Sequence, residues 1–297
     1  MDTKKAFTCL IMTVVLVFAF GSMAKASDIA YYVGMFQPGS YDDETMAFDV
    51  ETMMQETAGR FNDVQSFDDD NLDAFGAWAE ANIGDGDLDI IWLNGQIPSV
   101  LYPTFNEEED GSVAERWLDD GNMFINVADW FAWATHENGE KERNTHVAAG
   151  FILDQPHTII LGAADTVMAR TAAGREYMPS LDDNLLSNRP VYLEAFESPW
   201  EVSEVFAVSA SEGVADVGDV QDMVLPAGVL ADPVVACNTE TNGCLAIISQ
   251  SKIANAGDRG AMCSEFINNW VFGGGLTTSV EPGDKLSATW GEIKTRY

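Results

Sequence analysis

Residues 88 to 98 read LDIIWLNGQIP, and their interpretation decides the fold. A short apolar run around Ile90, Ile91 and Trp92, closed at Asn94-Gly95, has the continuous hydrophobicity of a strand buried on both faces. Such a strand needs helices on either side, and the flanking sequence supplies them. Upstream, residues 70 to 83 read as a helix opened by Asp70, and residues 61 to 67 as a strand. Residues 42 to 58 place Met46, Val50, Met53, Met54 and Thr57 at helical spacing, with acids in the first turn. Residues 29 to 36 (IAYYVGMF) form another apolar run, ending in the breakers Gln37-Pro38-Gly39-Ser40. Downstream, Ser112-Val113-Ala114-Glu115 is a capping box opening a short helix through Leu118, followed by a strand over residues 122 to 127. A unit of about 30 residues repeats strand then helix, which favours an α/β fold with a doubly wound, mostly parallel sheet.

The second half changes character. Short strands are expected at residues 190 to 196, 201 to 208, 234 to 238 and 244 to 250, as an antiparallel extension of a mixed sheet, with a closing helix over 260 to 272. No composition shift separates the halves, so residues 28 to 275 read as one domain. Residues 276 to 297 follow Gly273-Gly274-Gly275 and read as a surface extension or linker.

The chain has 297 residues, 46% of them hydrophobic, with 16 Phe, 8 Trp and 7 Tyr for a sizeable core. Against 48 Asp plus Glu it carries only 15 Lys plus Arg, a formal charge of −33. That balance repels a phosphate backbone and an anionic bilayer, so nucleic acid and membrane surfaces are excluded as expected partners.

The N-terminus reads as an address. Lys4 and Lys5, an apolar run from Ala6 to Phe20, and Ala24-Lys25-Ala26 make the three parts of a secretory signal peptide over residues 1 to 26. Cleavage would leave a secreted or periplasmic protein with no membrane segment, more acidic still. Of the cysteines that remain, Cys237 and Cys244 sit on two strands around a turn and are the expected disulfide in an oxidising compartment. Cys263 lies on the apolar face of the closing helix and reads as a buried hydrophobe; a nucleophile would need a His and an acid beside it.

The opening strand, DIIWLNGQIP (residues 89 to 98), the pair AERWLDDG and NMFINVADW (114 to 130) and the closing RGAMCSEFINNWV (259 to 271) together resemble the class I glutamine amidotransferase-like superfamily, and within it the ThuA-like proteins. The resemblance implies a flavodoxin-like arrangement across residues 28 to 272. Glutaminases of that fold carry a Cys elbow after the fourth strand and a His-x-Glu downstream. Here the elbow reads Asn126-Val127-Ala128-Asp129-Trp130, and neither His136-Glu137-Asn138 nor His157-Thr158-Ile159 is a His-x-Glu. Without thiolate or paired base, thioester chemistry has no support.

Ligands of open α/β sheets bind at the carboxyl ends of the strands. The loops expected there carry Asn94, Gln96, Asp129, Trp130 and His136, with Trp133 nearby. Amide, carboxylate, imidazole and indole suit a small polar ligand or a sugar. Taken singly, each has a plain structural role: Asn94 in a turn, Asp129 as a cap, the tryptophans in the core. No metal site or cofactor is expected. His136, His146 and His157 match no tight zinc spacing, and Asp85, Asp87 and Asp89 begin like a calcium loop that then has Ile90 and Gln96 where Gly and Glu are required. The expected function is a secreted, non-glutaminase binding or interaction module, for a polar ligand or a protein partner. The alternative is a carbohydrate-active enzyme using Asp129 and His136 as acid and base.

Overall fold

Every residue of the strands Ile29–Tyr32 (β1), Ile90–Leu93 (β3) and Met123–Val127 (β4) is buried, whereas Val64–Phe67 (β2) alternates between exposed and covered positions. Helices on both faces impose the first pattern; a place at the sheet edge imposes the second. These elements belong to a computed structural model that describes residues 27–104, 106, 111–137, 140–143, 148–155, 166–209 and 229–276. The signal-peptide reading, His146, His157 and residues 277 to 297 lie outside the described residues.

Three more strands, Trp200–Val205 (β5), Val234–Asn238 (β6) and Cys244–Ile248 (β7), complete a seven-stranded sheet in the order β5-β6-β7-β4-β3-β1-β2. From β2 to β7 all neighbours are parallel, and β6 and β5 then add antiparallel strands. The order 2-1-3-4 followed by a fifth parallel strand is that of flavodoxin-like sheets. The fold is therefore α/β, with a mostly parallel central sheet flanked by helices.

Helix α1 (Asp43–Glu56) is capped by Asp42, whose carboxylate accepts from Thr45 N at 2.8 Å. It buries Met46, Val50 and Met53 and packs against the closing helix α4 (Arg259–Glu265). Gly260 permits that contact, because a Cβ there would lie 2.8 Å from Asp49 Cα. Helix α2 (Leu72–Ala81) packs on α3 (Val113–Asp119), with Trp78 and Trp117 5.8 Å apart. The capping box forms at α3: Ser112 Oγ accepts from Glu115 N and Glu115 receives Ser112 N.

Several local expectations are corrected. Asp68, not Asp70, caps the entry to α2, because a 3-10 turn over Asp69–Asn71 precedes the helix. The closing helix starts at Arg259 and gives way to a π-helical turn over Phe266–Val271, in which Phe266 and Trp270 stack. Only Val191–Tyr192 is strand within residues 190 to 196. The expected strand over 201 to 208 divides at Phe206: Trp200–Val205 joins the central sheet, and Ala207–Ser209 joins a second, antiparallel sheet. That second sheet also contains Thr166–Arg170 and Asn184–Ser187, which carry no strong period in the sequence. The sulfurs of Cys237 and Cys244 are bonded across the β6–β7 ladder, where the two residues are direct partners. Among the described residues no helix is long and apolar enough to cross a membrane.

Candidate functional site

Two strand ends with left-handed backbone meet at the carboxyl edge of the sheet. Beyond β4, Ala128 has φ 68°, and Asp129 N donates to Val127 O at 2.7 Å, closing a tight γ-turn. Beyond β7, Ser249 has φ 51°. The two are joined by Ala128 N donating to Ser249 O at 3.2 Å. Non-glycine residues held at positive φ cost free energy and persist where the surroundings over-determine them, often at functional sites. Ala128 occupies the elbow position after β4, so the bend is present while the methyl side chain supplies no nucleophile.

The loop after β3 closes against this elbow. Gly95 has φ 94°, and a Cβ on it would come within 2.7 Å of Asp129 Cβ and backbone N. Asn94 is buried; its amide donates to Gly34 O at 3.1 Å and contacts Met46 Sδ, while its carbonyl oxygen accepts from Gln96 N. Gln96 is buried as well, with Nε2 donating to Gly95 O at 2.8 Å. Asp129 is 1% exposed and accepts from Trp130 N at 2.8 Å and from Arg189 Nη1. The Arg189 guanidinium also covers the Trp130 ring, 4.6 Å from its centroid, and Trp130 touches Trp133.

Asn94, Gln96, Asp129 and Trp130 are thus brought together by the elbow and the β3 loop. The backbone of His136 is in the strand Ala134–Glu137, paired opposite Pro98 in a separate three-stranded sheet, and its side chain is outside the described residues. Asp129 does not cap a following helix; it binds its own neighbour's amide. Trp130 and Trp133 lie in a turn-rich segment, half-buried, rather than at helical spacing in the core.

Sequence reasoning missed four further residues. Asn126, in the middle of buried β4, donates to Asp129 O at 2.7 Å. Asn188 N donates to Gln250 O at 3.0 Å, which brings Arg189 to the end of β7. Asp232 is fully buried and accepts from Ser187 Oγ at 2.6 Å and Gln250 N at 2.7 Å; burial pushes its carboxyl up to about 6 against those hydrogen bonds. A polar residue inside an otherwise apolar strand (MFINV) and at the end of one (CLAIISQ) was the available signal for Asn126 and Gln250.

Within this cluster Gln96 Oε1, Asn126 Oδ1, Asp232 Oδ1, Trp130 Nε1 and both polar atoms of Gln250 are buried without a hydrogen-bond partner among the described residues. Buried polar groups are nearly always satisfied, so such a concentration demands a partner. Below them, the buried Arg259 ties the loops together, donating to Ser40 O at 2.7 Å, to Ser249 O at 3.1 Å and to Ser251 O, and lying 4.5 Å from the Tyr41 ring centroid. Cys263 is buried, and burial with the neighbouring Asp49 charge pushes its thiol well above the usual range, which leaves it unreactive.

Two surface hollows lie away from this cluster. One, of about 380 Å³, has Asp43, Asp68, Asp69 and Asp70 in its lining; Asp69 there accepts from Tyr32 Oη at 2.7 Å and from Met35 N, so it is a loop tie rather than a free acid. The other, of about 710 Å³, runs along α1.

Fold and elbow together define a flavodoxin-like α/β domain whose elbow lacks a nucleophile. No family model matches the chain, and no curated protein matches it. Among solved structures, the chain is similar to a protein from Bacteroides uniformis described as ThuA-like, at 9% identity and a TM-score of 0.42, over 82% of this chain and 91% of that one. A likeness that distant carries no argument, and the fold assignment rests on strand order.

Proposed function

We propose that this protein is a non-catalytic, ThuA-like binding module that holds a small polar ligand at the carboxyl ends of β3, β4 and β7. The observation that carries the reading is the set of buried, unpartnered amide atoms on Gln96, Asn126 and Gln250 beside Arg189. Side-chain amides offer both donors and acceptors, as hydroxyl-rich or amide-bearing ligands require. Arg189, partly exposed, and Trp130 are the cover through which such a ligand would reach them. The carbohydrate-active alternative is weakened by Asp129, whose carboxylate is buried and already engaged by Arg189 and by Trp130 N.

The same reading places the protein outside the cytoplasm, supported by the basic, apolar and small-residue order of residues 1 to 26 and by the Cys237–Cys244 bond. N-terminal sequencing of exported protein should begin at Ser27. For the ligand, a thermal-shift screen against sugars, uronic acids and amino acids should give a selective rise in Tm with one class. A flat screen across all of them would defeat the small-ligand reading.

A further inference from the structure

The groove along α1 is lined by Met46, Val50 and Met54 from the helix and by Val33 and Ser66 from the strand side, with Asp43 and Glu51 as its charged members. It lies beside β2, the edge of the central sheet. Its open apolar surface comes from Val33, Ala47, Met54 and Ala58, while Met46 and Val50 are almost wholly buried at its floor. A second copy of the chain is a poor occupant, because the acids of the groove would meet another strongly acidic surface.

The described chain ends close to one end of this groove. After α4 the π-turn brings Asn268 Nδ2 to Glu56 O at 3.0 Å, Arg60 Nε to Asn268 Oδ1 at 2.9 Å, and Phe272 to 5.5 Å from Phe61. Gln55 and Ala58, on the same turn as Glu56, belong to the groove lining. The π-turn thus lies beside the C-terminal end of α1, Leu276 N donates back to Trp270 O at 3.2 Å, and 21 residues of sequence follow Leu276. Fully extended they reach about 70 Å, far more than the roughly 21 Å length of α1.

Their sequence fits the groove. Leu286, Trp290, Ile293 and Tyr297 recur at steps of four, three and four, the spacing of an apolar stripe on one side of a helix. Residues 285 to 297 contain Lys285, Lys294 and Arg296 against the single acid Glu292, an inversion of the charge of the whole chain. We propose that residues 285 to 297 dock in the α1 groove of their own chain, their apolar stripe on Val33, Ala47 and Met54 and their cations toward Asp43 and Glu51. An amphipathic segment laid into an apolar groove is a recurring mode of recognition, and tethering raises its effective concentration.

Zero-length carbodiimide cross-linking of the full chain tests this, using an equal mixture of unlabelled and ¹⁵N-labelled protein and mass mapping of the products. The expected result is links from Lys285 or Lys294 to Asp43 or Glu51 within one isotopic chain, reduced about tenfold by Trp290→Asp, which removes the largest apolar anchor. Met54→Arg should reduce them similarly from the other side. Trp290→Asp alters no residue of the described core, so its result stands even if Met54→Arg disturbs α1. Absence of these links, their persistence in Trp290→Asp, or mixed light–heavy links as abundant as same-isotope ones would overturn the proposal.

Discussion

Asp129 and Arg189, sixty positions apart, form an ion pair in which the carboxylate is almost wholly buried and the guanidinium is partly open to solvent. The pair fastens the elbow after β4 to the loop between the strands Asn184–Ser187 and Val191–Tyr192 of the second sheet. Removing the cation leaves a buried carboxylate with less compensation, whereas the partial exposure of Arg189 limits the loss. Arg189→Met should therefore lower unfolding free energy by about 2–3 kcal/mol, below the usual cost for a fully buried pair. Urea denaturation at neutral pH measures it.

The elbow makes two predictions of opposite sign. Ala128 holds φ 68°, a conformation glycine adopts freely, so Ala128→Gly should be neutral or stabilising by up to about 1 kcal/mol. Gly95 holds φ 94° with Asp129 at its back, so Gly95→Ala should cost more than about 2 kcal/mol. Thermal unfolding of the two variants side by side checks both.

These two positions also show what the sequence conceals. Period and capping chemistry exposed β1 to β4, α1 and the Ser112–Glu115 box, because buried strands and amphipathic helices write themselves as local patterns. The division at Phe206 was invisible, since no Gly or Pro interrupts WEVSEVFAVS (residues 200 to 209) where the chain passes from one sheet to the other. The site was half legible. Asn94, Gln96, Asp129 and Trp130 stand at strand ends, where ligand loops belong. Gln250, at the end of the apolar CLAIISQ, left a local trace, whereas Arg189 and Asp232 reach the same place only through pairing between segments far apart in sequence, which no local pattern records.

Stability should depend on pH in an unusual direction. Burial pushes Asp89 up to about 7 and Asp232 up to about 6, both above the roughly 3.9 of an unfolded Asp. The folded state thus binds these protons more tightly, and the stability they contribute is complete below about pH 4 and lost as pH rises through 6 to 7. Asp89→Asn retains an oxygen to accept from Asp28 N and removes the buried charge. It should raise stability by about 1–2 kcal/mol at pH 8 and change little at pH 4, as read from urea midpoints across that range.

The Cys237–Cys244 bond closes a short loop across the β6–β7 turn. Loop-closure entropy for a loop of this size is about 2.5 kcal/mol. Replacing both cysteines by Ser should reduce stability by about that amount, and non-reducing mass mapping of the parent should find the 237–244 link, with Cys263 free.

The central claim is that the unpartnered amides at the carboxyl edge of the sheet belong to a ligand site. Calorimetric titration of the full chain, and of Gln250→Leu, with the ligand class that raises Tm tests it most directly. The account expects one site per chain in the parent and at least about a tenfold weaker Kd in Gln250→Leu, with the variant folded and no less stable, since an unpaired buried amide has been removed. Unchanged affinity in Gln250→Leu would contradict the account and place binding elsewhere on the molecule.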